Sequence, residues 1–132
     1  MEQNYSIEFD IFCERHYVKS FEKKYKSAWP PTRQDIEDVC RRIDKMLEYQ
    51  RADLIYSVGN YKLVKLDFAV EGTKLSPKSS GNRCILLVDE DFRTIKILLV
   101  YSKNDIASPN KTQKWQAIIK KQFPELSGIF NL

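Results

Sequence analysis

The stretch GNRCILLVDEDFRTIKILLVYSKND, residues 81–105, restricts the possible folds more than any other part of the chain. Residues 84–88 and 95–101 are two runs dense in β-branched and aliphatic side chains, and the polar DEDFRT separates them. That is the pattern of an antiparallel hairpin with a longer loop. The second run is apolar on both faces, with Ile95, Ile97 and Leu99 expected on one side and Leu98 and Val100 on the other. It is therefore predicted to lie centrally in a sheet that is covered on both faces. Polar groups mark the open ends of the hairpin: Arg83 begins the first strand, and Tyr101, Ser102 and Lys103 end the second. Antiparallel pairing brings those ends side by side.

The rest of the chain reads as support for this hairpin. Tyr5, Ile7 and Phe9 alternate with Ser6 and Glu8, which predicts a short first strand. Ile11, Val18, Phe21 and Tyr25 then form one stripe of a helix whose other positions carry Glu14, Arg15, Lys19, Glu22, Lys23 and Lys24. His16 lies beside that stripe; with no second histidine in the chain it receives no role. The segment SAWPPTR is expected to break the helix, with Thr32 as the N-cap of a second helix and Asp35 as its capping partner. Ile36, Val39, Cys40, Ile43, Met46 and Leu47 carry that second helix to about Arg51.

Gly59-Asn60 marks a turn, and residues 61–70 alternate as a strand. Val64, Leu66 and Phe68 point with Lys62 towards the core, while Lys65 and Asp67 point the other way. The loop EGTKLSPKSSGN that follows is basic, carries Lys74 and Lys78, and leads to Arg83. Ser108-Pro109 is expected to open a last helix through Trp115, Ile118 and Ile119 to about Gln122, where Pro124 stops it; the apolar tail LSGIFNL is expected to dock. The predicted fold is α+β: a small antiparallel sheet with two N-terminal helices on one face, in the order β-α-α-β-β-β-α.

Size and charge narrow the function. The 132 residues, 42% hydrophobic, suit one domain spanning residues 1–132. No apolar run approaches the roughly 20 residues of a membrane span, and MEQNYSIEFD lacks the character of a signal peptide, so a cytoplasmic protein without membrane contact is expected. Cys13, Cys40 and Cys84 are odd in number and lack CxxC spacing, so they read as buried thiols rather than disulfides or zinc ligands, and no metal or other cofactor is expected. Residues 1–60 hold ten Lys or Arg against eleven Asp or Glu, whereas residues 61–132 hold twelve against seven. A polyanion-binding surface leaves such an asymmetry, and so does a solvated basic face.

Residues 61–122, and above all the hairpin with Arg83, Tyr101, Lys103, Asn104 and Asp105 at its ends, resemble the RelE superfamily of bacterial toxins, in particular its HigB-like branch. The shared pattern is a Gly-x-Arg strand, an acidic turn and an apolar strand ending in Tyr-x-Lys-x-Asp. The resemblance implies a small sheet with two helices on one side and a concave face that handles RNA. It also implies the toxin of a toxin–antitoxin pair, an mRNA endoribonuclease acting at the ribosome to inhibit translation, neutralised by a cognate antitoxin. The alternative on the same scaffold is a non-enzymatic toxin that inhibits a protein target, as ParE-like relatives do, or a nucleic-acid- or protein-binding module.

Metal-free RNA cleavage needs a 2′-hydroxyl to attack the adjacent phosphate, a stabilised phosphorane and a protonated leaving oxygen. Arg83 is suited to grip the phosphate bidentately, Lys65 and Lys103 to add charge, and Tyr101 to stack on a base or pass a proton. Lys62, Lys74 and Lys78 are the candidate RNA contacts outside this centre. The sequence offers no obvious general base. The acids Asp89, Glu90 and Asp91 gather on the hairpin turn, at the far end from Arg83.

Overall fold

The structure, a computed structural model, describes residues 5–102 and 111–132. Strand β1 (Ser6–Phe9) leads into helix α1 (residues 11–25), whose middle turn, Glu14–Val18, is π-helical. That wider turn resets the buried face. Cys13 and Val18, five positions apart, are buried with Phe21, whereas Ile11, expected on the stripe, points to solvent. A tight turn, Lys26–Ala28, connects to α2 (Trp29–Arg41).

Helix α2 corrects the expected cap. Pro30 and Pro31 occupy its first turn, where a missing N–H costs nothing, so the prolines start the helix instead of preceding it. Thr32 lies inside it. The Thr32 hydroxyl donates to the Ala28 carbonyl (2.7 Å) and accepts from the Glu71 backbone N–H (2.8 Å), tying α2 to the segment after the third strand. The helical run breaks at Arg42, resumes as α3 (Ile43–Glu48) and ends before Arg51.

The next element departs from the expected order. Residues ADLIYSV form strand β2 (Ala52–Val58), which pairs through the Gly59-Asn60 turn with β3 (Tyr61–Phe68). A short helix, α4 (Pro77–Ser80), capped by Ser76, then delivers the chain through Gly81, in left-handed conformation at φ 79°, to β4 (Asn82–Asp89). Strand β5 (Thr94–Ser102) completes the hairpin. Helices α5 (Lys111–Gln122) and α6 (Pro124–Phe130) end the chain. Pro124 stops one and starts the other, and the tail docks through Leu126 and Phe130. The expected cap at Ser108-Pro109 lies outside the described residues.

The five strands form one sheet in the order β1-β5-β4-β3-β2. Four are antiparallel neighbours, but β1 runs parallel to β5, so the sheet is mixed and not purely antiparallel. The long path through the helices lets β1 take that edge, which a tight turn would not allow. As its two apolar faces predict, β5 is an interior strand. One face packs Val64, Leu66, Phe68, Cys84, Leu86 and Val88 against the N-terminal helices. The other packs Leu63, Ile85, Leu98 and Leu99 against Trp115, Ile119, Phe123, Leu126 and Phe130 of the C-terminal helices.

The alternation predicted for β5 fails at one point. Ile85 lies opposite Leu99 and Leu86 opposite Ile97, so Leu98 is an extra residue in a β-bulge. Beyond it the faces exchange: Val100 joins Ile95 and Ile97 on the N-terminal-helix side, while Leu99 and Tyr101 join Leu98 on the other. The three cysteines are buried, as expected; all are free and lie in the core under the N-terminal helices. Among the described residues no helix is long and apolar enough to cross a membrane.

Candidate functional site

Three adjacent strands place a polar row at one end of the sheet. Asp67 on β3 lies opposite Arg83 on β4, which lies opposite Tyr101 on β5. Residues directly opposite in antiparallel strands share a face, so all three point to the side covered by the C-terminal helices. Lys65, two residues before Asp67, shares that face and pairs with Asp53 of β2 at 3.6 Å.

Arg83 is the centre of this row. Its Nε donates to Asp67 Oδ1 at 2.9 Å, one Nη donates to the Asn82 carbonyl at 3.0 Å, and the other makes a long contact with the Lys78 carbonyl at 3.5 Å. These contacts engage three of the five N–H groups of a guanidinium. The Arg83 side chain is 16% exposed and that of Asp67 25%, so the pair sits at the rim of the core with one side open to water.

The protonation states follow from this placement. Burial pushes the Asp67 carboxyl above its ordinary range and Asp53 adds to the rise, while Arg83, Lys65 and Lys78 pull it back. Burial likewise pushes the Tyr101 phenol up to about 12, with Cys84 and Asp67 reinforcing the rise and Arg83 opposing it. Tyr101 is therefore a neutral phenol near pH 7, able to donate a proton but not to remove one. It is 4% exposed and packs in the cluster that holds Trp115 and Phe123.

The structure thus brings Arg83, Tyr101 and Lys65 to one end of one face, with Lys78 on α4 beside them. It separates Lys62, which lies on the opposite face and binds Glu90 at 3.1 Å near the hairpin turn, roughly 15 Å along the strand from Asp67. Lys74 is exposed on the loop after β3. Lys103, with Asn104 and Asp105, lies outside the described residues. Asp67 is the residue that sequence reasoning passed over: its face was readable, but the register that sets it against Arg83 was not.

A cleft of about 450 Å³ opens beside this row, where β2 stops and the edge of β3 is uncovered. Asp67, Thr32, Asp35, Asp38, Arg42 and Glu71 are among its lining residues. A hydrogen bond and charge repulsion from Asp35 push the Glu71 carboxyl up. An acidic wall repels phosphate, so an anionic ligand is better served by the sheet face than by the cleft. Among the described residues no group of His, Cys, Asp and Glu has the arrangement of a metal site.

No protein-family model matches the chain, and no curated protein sequence matches it. Among solved structures, the chain is similar to one in the crystal structure of the archaeal RelE–RelB complex from Pyrococcus horikoshii OT3. Sequence identity is 14%, the match covers 76% of this chain and 97% of that one, and the TM-score is 0.48.

Proposed function

We propose that this chain is the toxin of a toxin–antitoxin pair, a metal-independent mRNA endoribonuclease of the HigB-like kind that acts on translating ribosomes in the cytoplasm and is held inactive by an antitoxin. The observation that carries the reading is the row Asp67–Arg83–Tyr101 with Lys65 beside it. Arg83 and Tyr101 are among the positions at which the hairpin resembles the toxin family, and with Asp67 and Lys65 of β3 they supply complementary chemistry. Arg83 holds the scissile phosphate with its two remaining N–H groups and stabilises the phosphorane. Asp67, raised by burial and hydrogen-bonded to Arg83, accepts the 2′-hydroxyl proton. Tyr101, a neutral phenol, donates towards the leaving 5′-oxygen, and Lys65 and Lys103 add positive charge. Lys74 and Lys78 contact the flanking RNA.

The test incubates the purified chain with translating ribosomes in their Mg²⁺-containing buffer and maps the mRNA ends and their terminal phosphates. Cleavage leaving a 2′,3′-cyclic phosphate is the expected result. Intact mRNA under those conditions would remove the enzymatic reading. One observation favours a second reading, a non-catalytic binding module: Arg83 is already paired and the Tyr101 ring is covered. Growth arrest by the chain with intact mRNA would select that reading.

A further inference from the structure

The charges of α1 are mixed in the sequence and sorted by the fold. Glu14 turns inward to pair with Arg33 of α2. That leaves Arg15, Lys19, Lys23 and Lys24 exposed on the helix and Lys26 exposed on the turn after it, with Glu22 the one exposed acid among them. Five cations against one acid give this stretch +4, the net charge of the whole chain, so the rest sums to zero and the excess is concentrated here. A count by halves of the sequence hides it. Arg15, Lys19 and Lys23 recur at every fourth residue, on the side away from buried Val18 and Phe21. Among the described residues none of the five cations has an acidic partner, in contrast to Lys62, Lys65 and Arg83 on the sheet.

This basic ridge reaches the site end of the sheet. Ser20, Lys24 and Tyr25 line a small notch with Ser102, the last residue of β5 and the neighbour of Tyr101; Glu22 is not part of it. The Lys24 ammonium lies over the Tyr25 ring, 5.3 Å from its centre. The strand ends that carry Arg83 and Tyr101 thus have Lys78 on one side and Lys24 on the other. We infer that α1 is the track along which the RNA backbone leaves the site: a strand whose scissile phosphate sits on Arg83 crosses the end of β5 at Lys24 and continues along Lys23, Lys19 and Arg15. The inference rests on the RNA reading of the site and adds the surface that holds the substrate beyond it. Cations one helical turn apart meet phosphates without reading bases, so this contact is independent of sequence. Structured RNA lying beside the site would offer the same phosphates; continuity of the ridge with the strand end favours the substrate strand itself.

Fluorescence anisotropy of the full chain with a labelled single-stranded 2′-O-methyl RNA of about 12 nucleotides tests this, because the methyl group blocks 2′-hydroxyl attack and leaves the phosphates in place. Lys19→Gln/Lys23→Gln/Lys24→Gln is expected to bind more weakly and to make the slope of log affinity against log salt shallower by about 2, at roughly 0.7 per lost phosphate contact. Lys19→Arg/Lys23→Arg/Lys24→Arg is expected to keep the wild-type slope. Arg42→Gln/Lys45→Gln/Arg51→Gln removes as much charge from exposed positions around α3, whose Asp44 meets Arg93 at the hairpin-turn end, and is expected to behave as wild type. Lys23→Gln alone, with a change of about 0.7, decides the matter should the triple variant fail to fold. An unchanged slope in the folded glutamine variant, or an equal change in the variant around α3, would overturn the inference. Tighter binding of an RNA duplex of the same length would assign the ridge to structured RNA and overturn the track. Cleavage of mRNA on ribosomes with that slope unchanged would sink the track and leave the endoribonuclease reading standing; RNA neither bound nor cleaved would remove both.

Discussion

Replacing Arg83 with alanine removes the cation that Asp67 faces, and the pair's position sets what that costs. Breaking a buried ion pair costs about 3–5 kcal/mol, and a fully exposed pair is worth about 0–1 kcal/mol. With side chains 16% and 25% exposed, Arg83 and Asp67 fall between these limits. After discounting for screening, the expected loss is about 1–2 kcal/mol near neutral pH, or roughly 3–8 °C in Tm for a domain of this size. The loss depends on pH. An acid whose folded pKa is raised binds more protons folded than unfolded between its two pKa values, so its contribution to stability falls as pH rises through that window. The Asp67 carboxyl is raised by burial, and Arg83 is the strongest group holding it down. Without Arg83 the window extends upward from the ordinary aspartate range. The Arg83→Ala loss should therefore be largest at about pH 8 and shrink at about pH 4, where a protonated Asp67 needs no cation. Thermal unfolding of wild type, Arg83→Ala, Asp67→Ala and the double variant at both pH values measures the coupling. A coupling indistinguishable from zero at the higher pH, or the same loss at both, would refute the reasoning.

Leu86→Ala, at a fully buried position on the central strand, should cost about 3–5 kcal/mol because helices cover that face and limit collapse, whereas Leu54→Ala on the exposed edge should cost no more than about 0.5 kcal/mol; urea melts separate the two. Deleting Leu98 should unfold the protein or leave it molten, since removing the bulge sends Leu99 and Tyr101 to the opposite face; near-ultraviolet circular dichroism reports the loss of packing. Burial pushes the Cys13, Cys40 and Cys84 thiols well above their ordinary range, so at about pH 8 a thiol reagent should modify none of them until the chain unfolds, as mass spectrometry would count.

How far the sequence disclosed this structure varies by element. β5 was legible as an interior strand because both its faces are apolar, yet the same property hid its bulge: in ILLVY either phase of alternation is equally apolar, so nothing marks Leu98 as extra. β2 was missed because ADLIYSV follows a helix without an intervening glycine or proline and does not alternate cleanly. Its signal was the Gly59-Asn60 turn with an apolar run on each side. In α1 a π-helical turn moved the buried stripe from Ile11 to Cys13, a change that a 3.6-residue period does not contain. At the site, the meeting of Arg83 with Tyr101 followed from the hairpin alone. The addition of Asp67 required the β3–β4 register, which long-range pairing decides. The cover that the C-terminal helices place over Tyr101 depended on where the apolar tail docked, and composition shows that it docks but not where.

The proposed role of Arg83 is to stabilise the phosphorane in mRNA cleavage. Its most direct test is the initial cleavage rate on translating ribosomes for wild type, Arg83→Ala and Arg83→Lys, measured well below each variant's melting temperature so that the ion pair's effect on stability does not enter. A loss of about 10² to 10³ is expected for Arg83→Ala, with little recovery by lysine because a point charge cannot grip two oxygens as a planar fork does. Cleavage by folded Arg83→Ala at the wild-type rate would contradict it.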